Sequence, residues 1–297
     1  MTFPSDFLPY LRPNEPLARY SALRLGGPAE WLYIESDSTA RLVEIVSAAW
    51  AEGIPTRILG GGANVLISDR GVQGLVVINR IMQVDFGETS VTASGGHGLT
   101  ALARKCAKRG LSGLEWAASV PGTVGGAAVN NAGAHNGNMA GILTALQVYD
   151  CEKGEVTLQN QNLNYAYRTS SLKKRPDRRF IVLNVSLSLQ PADPEKINAA
   201  MDEFVAYRKH SQPTGASLGS IFKNPPGDYA GRLIESCGLK GTLIGGAQIS
   251  TKHANFFINS AGATAADYRA LIEHVRDVVT RETGVVLEPE VEFVGDW

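Results

Sequence analysis

One run, Ser119-Val120-Pro121-Gly122-Thr123-Val124-Gly125-Gly126-Ala127-Ala128-Val129-Asn130-Asn131-Ala132-Gly133, constrains this chain more than any other stretch. It holds four glycines, a proline and two adjacent asparagines, and no charged side chain. Such a segment buries little side chain. It presents backbone N–H groups instead, accessible because glycine has no Cβ to hold a ligand off. Successive N–H groups in a turn form an anion-binding nest suited to a pyrophosphate. Alone, the run is equally a tight structural turn. An earlier companion, Gly60-Gly61-Gly62-Ala63-Asn64, favours the ligand reading.

Composition narrows the classes. At 297 residues the chain exceeds the usual size of one core, so two or three domains are expected. Hydrophobic residues at 44% and charged residues at 19% describe an ordinary folded protein. A net charge of −1 with mixed signs gives neither a nucleic-acid footprint nor a polybasic membrane face. No apolar run approaches bilayer-spanning length. Met1 to Leu17 carries four prolines where a signal peptide needs an apolar core. The expectation is a cytoplasmic protein with no membrane or nucleic-acid partner. Cys106, Cys151 and Cys237 lie far apart without metal spacing and read as reduced core thiols, so no metal is expected. Nothing fixes the oligomeric state; a monomer is compatible.

Along the chain, Tyr20–Ile34 reads as a turn-linked strand pair cornered at Leu25-Gly26-Gly27-Pro28. A helix is predicted over Thr39–Glu52, capped by Asp37 or Ser38 and ended by Gly53. Short strands follow at Thr56–Leu59, Val65–Ile67 and Leu75–Ile78. The first glycine run therefore joins two strands, with neither G-x-G-x-x-G spacing nor a helix opening from it. Next come a strand at Thr89–Ala93, the loop Gly95-Gly96-His97-Gly98 and a helix Leu99–Arg109. His97 reads either as a covalent flavin anchor or as a loop hydrogen-bonder. Strands Thr144–Tyr149 and Glu155–Leu158 pair through Lys153-Gly154. From Ile181 to Leu189 residues alternate strictly, with Ile181, Leu183, Val185, Leu187 and Leu189 facing one way. Asp193-Pro194 opens a helix to about Lys209, and His210–Ala216 reads as a linker. A helix Tyr229–Ser236, a strand Leu243–Ile249, a helix Thr264–Thr283 and a last strand Val285–Phe293 complete the reading.

The resemblance becomes specific from here. Ile58–Val77 with Ser119–Gly133 resembles the two FAD-pyrophosphate loops of vanillyl-alcohol-oxidase-type flavin domains. Further motifs are Tyr167-Arg168-Thr169-Ser170, Gly219-Ser220-Ile221-Phe222-Lys223-Asn224-Pro225, Lys252-His253-Ala254-Asn255-Phe256 and Leu287-Glu288-Pro289-Glu290-Val291. That ordered set, spread from Tyr20 to Val294, resembles the UDP-N-acetylenolpyruvoylglucosamine reductase family. Leu218 stands where the family often has Ala, and Leu172 where it has an aromatic. The short interval from Arg168 to Ser220 resembles the subgroup without a tyrosine-bearing insertion.

The resemblance implies an α+β protein: a two-part FAD-binding fold of the vanillyl-alcohol-oxidase type plus a smaller α+β substrate-binding domain. The implied boundaries are 1–80 and 81–205 for the flavin parts, the second completed by 285–297, and 206–284 for the substrate domain. Non-covalent FAD would rest on Gly60, Gly61, Gly62, Ala63, Asn64, Val65, Ser119, Pro121, Gly122, Thr123, Gly125, Gly126, Asn131 and Gly133. The implied reaction reduces an enolpyruvyl ether of a UDP-sugar, with NADPH as reductant. Arg168 would stabilise the enolate, its guanidinium matching a carboxylate bidentately. Ser220 would protonate carbon, and Glu290 would hold or polarise the same end of the substrate. Lys223, Asn224 and Arg208 would meet the diphosphate and sugar, with His253 and Tyr167 as further substrate contacts. Taken singly, Arg168 and Glu290 read as an ion pair, Ser220 as a turn hydroxyl and Tyr167 as a packed aromatic.

Two rivals remain. An oxidase of the same flavin superfamily predicts a His or Tyr base and a covalent flavin, against which the Ser220/Glu290 pair argues. A flavin- or UDP-sugar-binding protein without turnover predicts loss of Arg168, Ser220 or Glu290, and all three are present.

Overall fold

The computed structural model describes residues 3–297; Met1 and Thr2, where the first expected subdomain and the N-terminal reading begin, lie outside the described residues. The chain forms two compact units. One comprises Met1–Pro13, Trp31–Gly61 and Gly74–Tyr207, the other Asn14–Glu30, Gly62–Gln73 and Arg208–Trp297. One of the crossings between them falls inside the first glycine run.

Strands β1 (Arg12–Pro16) and β2 (Pro28–Glu35) flank a 3₁₀ turn, Leu17–Tyr20, and an irregular stretch. The strand pair expected over Tyr20–Ile34 is therefore corrected to a single strand. The amides it would have used go elsewhere: Ala22 N–H to Gly62 O at 3.0 Å and Gly27 N–H to Ser68 O at 2.8 Å. Helix α1 (Thr39–Ala51) is capped by Ser38, whose hydroxyl accepts from Arg41 N–H at 3.1 Å, and buries Leu42, Ile45, Val46, Ala49 and Trp50. Strand β3 (Thr56–Leu59) runs to β4 (Val65–Ile67) and β5 (Val72–Asn79). β3 and β5 pair in parallel, Thr56 opposite Leu75, in a sheet of order β1-β2-β5-β3. β4 leaves that sheet.

Strands β6 (Val84–Phe86) and β7 (Ser90–Ser94) precede α2 (Leu99–Lys108) and α3 (Val124–Asn130). After them come β8 (Leu143–Asp150), β9 (Gly154–Gln159), α4 (Ser171–Lys174) and β10 (Phe180–Ser188). The sheet order is β9-β8-β10-β7-β6, all antiparallel. Gln147 lies opposite Asn184 but Val148 opposite Val182, so Leu183 is left over as a bulge. The bulge reverses the phase of β10. Val182, Val185 and Leu187 join the core under α2 and α3, whereas Ile181 and Leu183 join the core of α1. The expectation that residues 181–189 alternate in one phase is corrected accordingly.

In the second part of the chain α5 (Pro194–Ser211) starts where Asp193 Oδ1 accepts Glu195 N–H at 2.9 Å. Helix α6 (Ala230–Ser236) follows. The continuous strand expected at 243–249 is a hairpin instead: Leu243–Ile244 turns at Gly245, φ +53°, onto β11 (Ala247–Ile249), which pairs with β12 (Phe257–Asn259). Helix α7 (Ala265–Thr283) buries Tyr268, Leu271, Ile272, Val275 and Val279 in the core of the second unit. The last strand, β13 (Glu292–Val294), is shorter than expected and lies parallel to β4, Glu292 opposite Val65. Residues 285–291 are not strand; their amides bond to single partners such as Ile221 O, and Leu287 and Val291 enter the core. Of the three free cysteines only Cys106 is fully buried; Cys151 and Cys237 are half-buried, which corrects the reading of all three as core thiols. Among the described residues no helix is long and apolar enough to cross a membrane.

Candidate active site

The two glycine runs meet within the first unit. A Cβ on Gly60 would stand 2.2 Å from Thr123 Oγ1, and one on Gly61 2.9 Å from Gly122 Cα. Only glycine permits that approach. Gly61 and Gly126 are exposed, so part of each run reaches the surface. Neither run carries an acidic side chain. Peptide N–H groups without nearby carboxylates suit an anionic diphosphate, so these residues fit the flavin loops that the sequence implied. The first run joins β3 to β4 with no helix, as read. The second departs from a plain loop: Thr123 caps α3, its Oγ1 accepting Gly126 N–H at 3.3 Å, so Gly125 and Gly126 are helical. Ser119 ends a 3₁₀ turn and exposed Pro121 leads into the cap.

A third glycine stretch braces the second run. Gly95 O accepts Gly125 N–H at 2.9 Å, His97 O accepts Val124 N–H at 2.8 Å, and Leu99 N–H reaches Gly122 O at 3.0 Å. His97 is buried, with Lys105 Nζ 3.0 Å from Nε2 and Gly98 O 3.0 Å from Nδ1. An ammonium only donates, so Nε2 accepts and Nδ1 carries the hydrogen. Burial, reinforced by Lys105, holds the ring pKa below its ordinary value. Both nitrogens are engaged within the protein, which supports the loop reading of His97 over the covalent anchor.

Tyr167 and Arg168 occupy the tip of a tight turn closed by two bonds between Ala166 and Thr169, each 3.2 Å. Arg168 takes a left-handed backbone, φ +56°, and its guanidinium lies 5.4 Å from the centroid of the exposed Tyr167 ring. The turn is sewn to the end of α3, whose last carbonyls lack helical partners. Tyr165 donates to Ala128 O at 2.8 Å and Ser170 to Val129 O at 2.6 Å. Asn131 Nδ2 donates to Ala166 O at 2.9 Å, and Arg168 Nη2 to Gly133 O at 2.7 Å. Thus Arg168 belongs physically to the second glycine run. Sequence reading assigned nothing to Tyr165 or Lys105; a hydroxyl or ammonium shows no partner until the chain folds.

The second unit brings Ser220 and Glu290 onto one ladder. Glu290 N–H donates to Ile221 O at 2.7 Å, Lys223 N–H donates to Glu288 O at 2.9 Å, and Ser220 bridges to Phe256. Asn64 joins them: its Nδ2 donates to Glu290 O at 3.1 Å and its carbonyl accepts Glu292 N–H at 3.0 Å. Gly62, φ +60°, abuts Tyr20 O, Ala63 follows half-buried, and Val65 opens β4. Lys223 forms an ion pair with Glu288. Asn224 Oδ1 accepts Ala230 N–H at 3.1 Å, so one end of its amide caps α6. Burial lowers the pKa of Arg208, near the end of α5. Burial likewise lowers that of His253, whose Nδ1 accepts Asn255 N–H at 3.2 Å.

The profile of the UDP-N-acetylenolpyruvoylglucosamine reductase C-terminal domain matches residues 211–294, and that of an FAD binding domain matches residues 32–158. The chain is 41% identical over 288 residues to UDP-N-acetylenolpyruvoylglucosamine reductase 2 of Symbiobacterium thermophilum, covering 96% of this chain and 92% of that protein. It is 42% identical over 295 residues to the reductase of Synechococcus sp. strain CC9311, covering 96% and 93%. A crystal structure of the reductase from Thermus caldophilus superposes with a TM-score of 0.82 at 35% identity, over 96% of this chain and 100% of that one.

Proposed function

This chain belongs to the UDP-N-acetylenolpyruvoylglucosamine reductase family, and from that premise we propose how its residues carry out the reaction. It is an FAD-containing oxidoreductase that converts the enolpyruvyl ether of UDP-N-acetylglucosamine to UDP-N-acetylmuramate, a step of peptidoglycan precursor synthesis. FAD held on the glycine runs 60–65 and 119–133 would, once reduced by NADPH, supply hydride chemistry to one vinyl carbon. Negative charge then spreads over the neighbouring carbon and its carboxylate. Arg168 neutralises that enolate, and the Ser220 hydroxyl delivers the proton that completes the C–H bond. Glu290 orients the same end of the substrate. Lys223, Asn224, Arg208, His253 and Tyr167 hold the diphosphate, sugar and base. Residues 1–80 and 81–205, completed by 285–297, make up the flavin part, which also lends Tyr167, Arg168 and Glu290 to the substrate, and 206–284 make up the substrate part. The small UDP-sugar and NADPH suit a cytoplasmic setting.

The observation that carries the reading is the bond from Glu290 N–H to Ile221 O, which supports Ser220 and Glu290 serving the same end of the substrate. NADPH oxidation dependent on the enolpyruvyl substrate tests the activity. Ser220→Ala tests the donor: NADPH still bleaches the flavin, because that step needs no carbon protonation, while reoxidation by substrate slows by about 100-fold or more. Equal damage to both half-reactions would instead make Ser220 structural.

A further inference from the structure

We propose that Asn255 is a positioning residue for the proton donor, holding the segment that aims Ser220. The inference rests on the assignment of Ser220 above. Asn255 is 3% exposed. Its Oδ1 accepts Phe222 N–H at 2.9 Å and its Nδ2 donates to Phe222 O at 2.8 Å. Its main-chain carbonyl also accepts Ile221 N–H at 2.9 Å. One residue therefore supplies three bonds to two successive residues, and its amide replaces the main chain of a neighbouring strand. Across the segment, Ile221 O and Lys223 N–H are taken by Glu290 and Glu288. The backbone of residues 221–223 is thus gripped from both edges.

The grip matters because of what precedes it. Gly219 has φ +77° and nothing within 4 Å of where a Cβ would stand, so Gly219 itself adds no side-chain packing to hold Ser220. Serine has a single heavy-atom torsion, and its hydroxyl direction is inherited from its backbone. That backbone is set by the bridge from Ser220 to Phe256, next to Asn255, and by the clamp on Ile221 and Phe222. Without the Asn255 amide, the N–H and C=O of Phe222, a residue 1% exposed, lose their partners in the core. Buried peptide groups do not stay unpaired, so the segment shifts to satisfy them.

The experiment uses the FAD-loaded full chain and follows the two half-reactions separately. Asn255→Ala is expected to keep NADPH bleaching of the flavin within about twofold and to slow reoxidation by the enolpyruvyl substrate about 100-fold, the size that a misplacement near 1 Å produces. Combined with Ser220→Ala, it is expected to add no further loss, because a residue acting through another shows complete non-additivity. Losses that multiply in the double variant would overturn the inference alone. So would reoxidation by Asn255→Ala within about threefold of wild type, since no positioning energy is then lost. Ser220→Ala with unimpaired reoxidation would overturn the donor assignment and the inference together. Should Asn255→Ala not fold, Asn255→Asp, which keeps the acceptor for Phe222 N–H, enters the same cycle under the same criteria.

Discussion

Glu35 is buried at 1% exposure, yet it is charged. Its Oε1 accepts N–H groups of Ser36, Asp37 and Ser38 at 3.0, 2.8 and 3.0 Å, and Arg41 binds both carboxylate oxygens at 2.8 and 3.0 Å. Burial by itself would raise the carboxyl pKa. Arg41, the Tyr33 hydroxyl and the amides outweigh it and hold the group at about 2 against an ordinary 4.5. A depressed folded value means stability present above 4.5 and lost as pH falls towards 2. Glu35→Ala should cost about 1–3 kcal/mol in urea unfolding at neutral pH, because the buried Tyr33 hydroxyl and the amides lose their acceptor while the half-exposed Arg41 turns to solvent, and it should remove part of the acid slope in that window. His97 acts higher. Its folded value lies below the ordinary 6.5, so the folded state disfavours the proton and stability falls as pH drops through 6.5. His97→Gln should flatten that decline, measured as unfolding free energy between pH 7 and 5. His253 is shifted the same way and leaves a residual slope.

Helix α7 illustrates the scale of elements. Its period-3.6 stripe comprises Tyr268, Leu271, Ile272, Val275, Val278 and Val279, all buried except half-buried Val278. Thr264 and Asp267 form a capping box, but the remaining amides of the first turn, Ala265 and Ala266, bond to the Asp69 carboxylate at 2.8 Å each. No local pattern announces a cap nearly two hundred residues away. Asp69→Ala should destabilise the chain by about 1–2 kcal/mol, seen as a lowered denaturant midpoint. In α3 the glycines differ in kind. A Cβ at Gly125 would meet Gly95 O at 2.8 Å, so Gly125→Ala should impair folding itself. At Gly126 the nearest atom is Thr123 Oγ1 at 3.4 Å. Gly126→Ala should therefore keep or raise Tm through helix propensity, while FAD affinity drops about tenfold, roughly 1.4 kcal/mol. Unchanged affinity would remove α3 from the flavin site.

At the scale of the whole molecule, stability depends on ligand. A group bound only by the folded chain adds RT ln(1 + [L]/Kd), about 2.7 kcal/mol at a hundredfold excess over Kd. Stripping FAD should lower Tm, and titrating it back should restore Tm progressively. UDP-N-acetylmuramate should then add a further shift, smaller in Arg208→Ala if that arginine holds the diphosphate. Absence of any FAD-dependent shift would contradict the flavin placement.

The sequence by itself determined α1, α2, α5, α6 and α7, most short strands, the two glycine runs and the ordered motifs that identify the family, but not α3 or α4. These are signals written locally: an apolar stripe, a cap, a glycine where a Cβ cannot fit. It did not determine the reversed phase of β10, the hairpin at Gly245, or the loss of the strand pair before Ile34. Each depended on a single unmatched residue or on amides recruited by distant carbonyls. At the site, the joint role of the two glycine runs and of Ser220 with Glu290 was implied by the family resemblance, whereas Gly60 against Thr123 came only with the fold. The stitching of Arg168 to Gly133, the His97–Lys105 pair and the Asn255 clamp were not implied either. Those are hydrogen bonds between side chains and backbone remote in sequence. A polar side chain carries no mark of its partner, and only closure of the tertiary structure, which strands buried peptide groups and forces them to find one, decides the pairing.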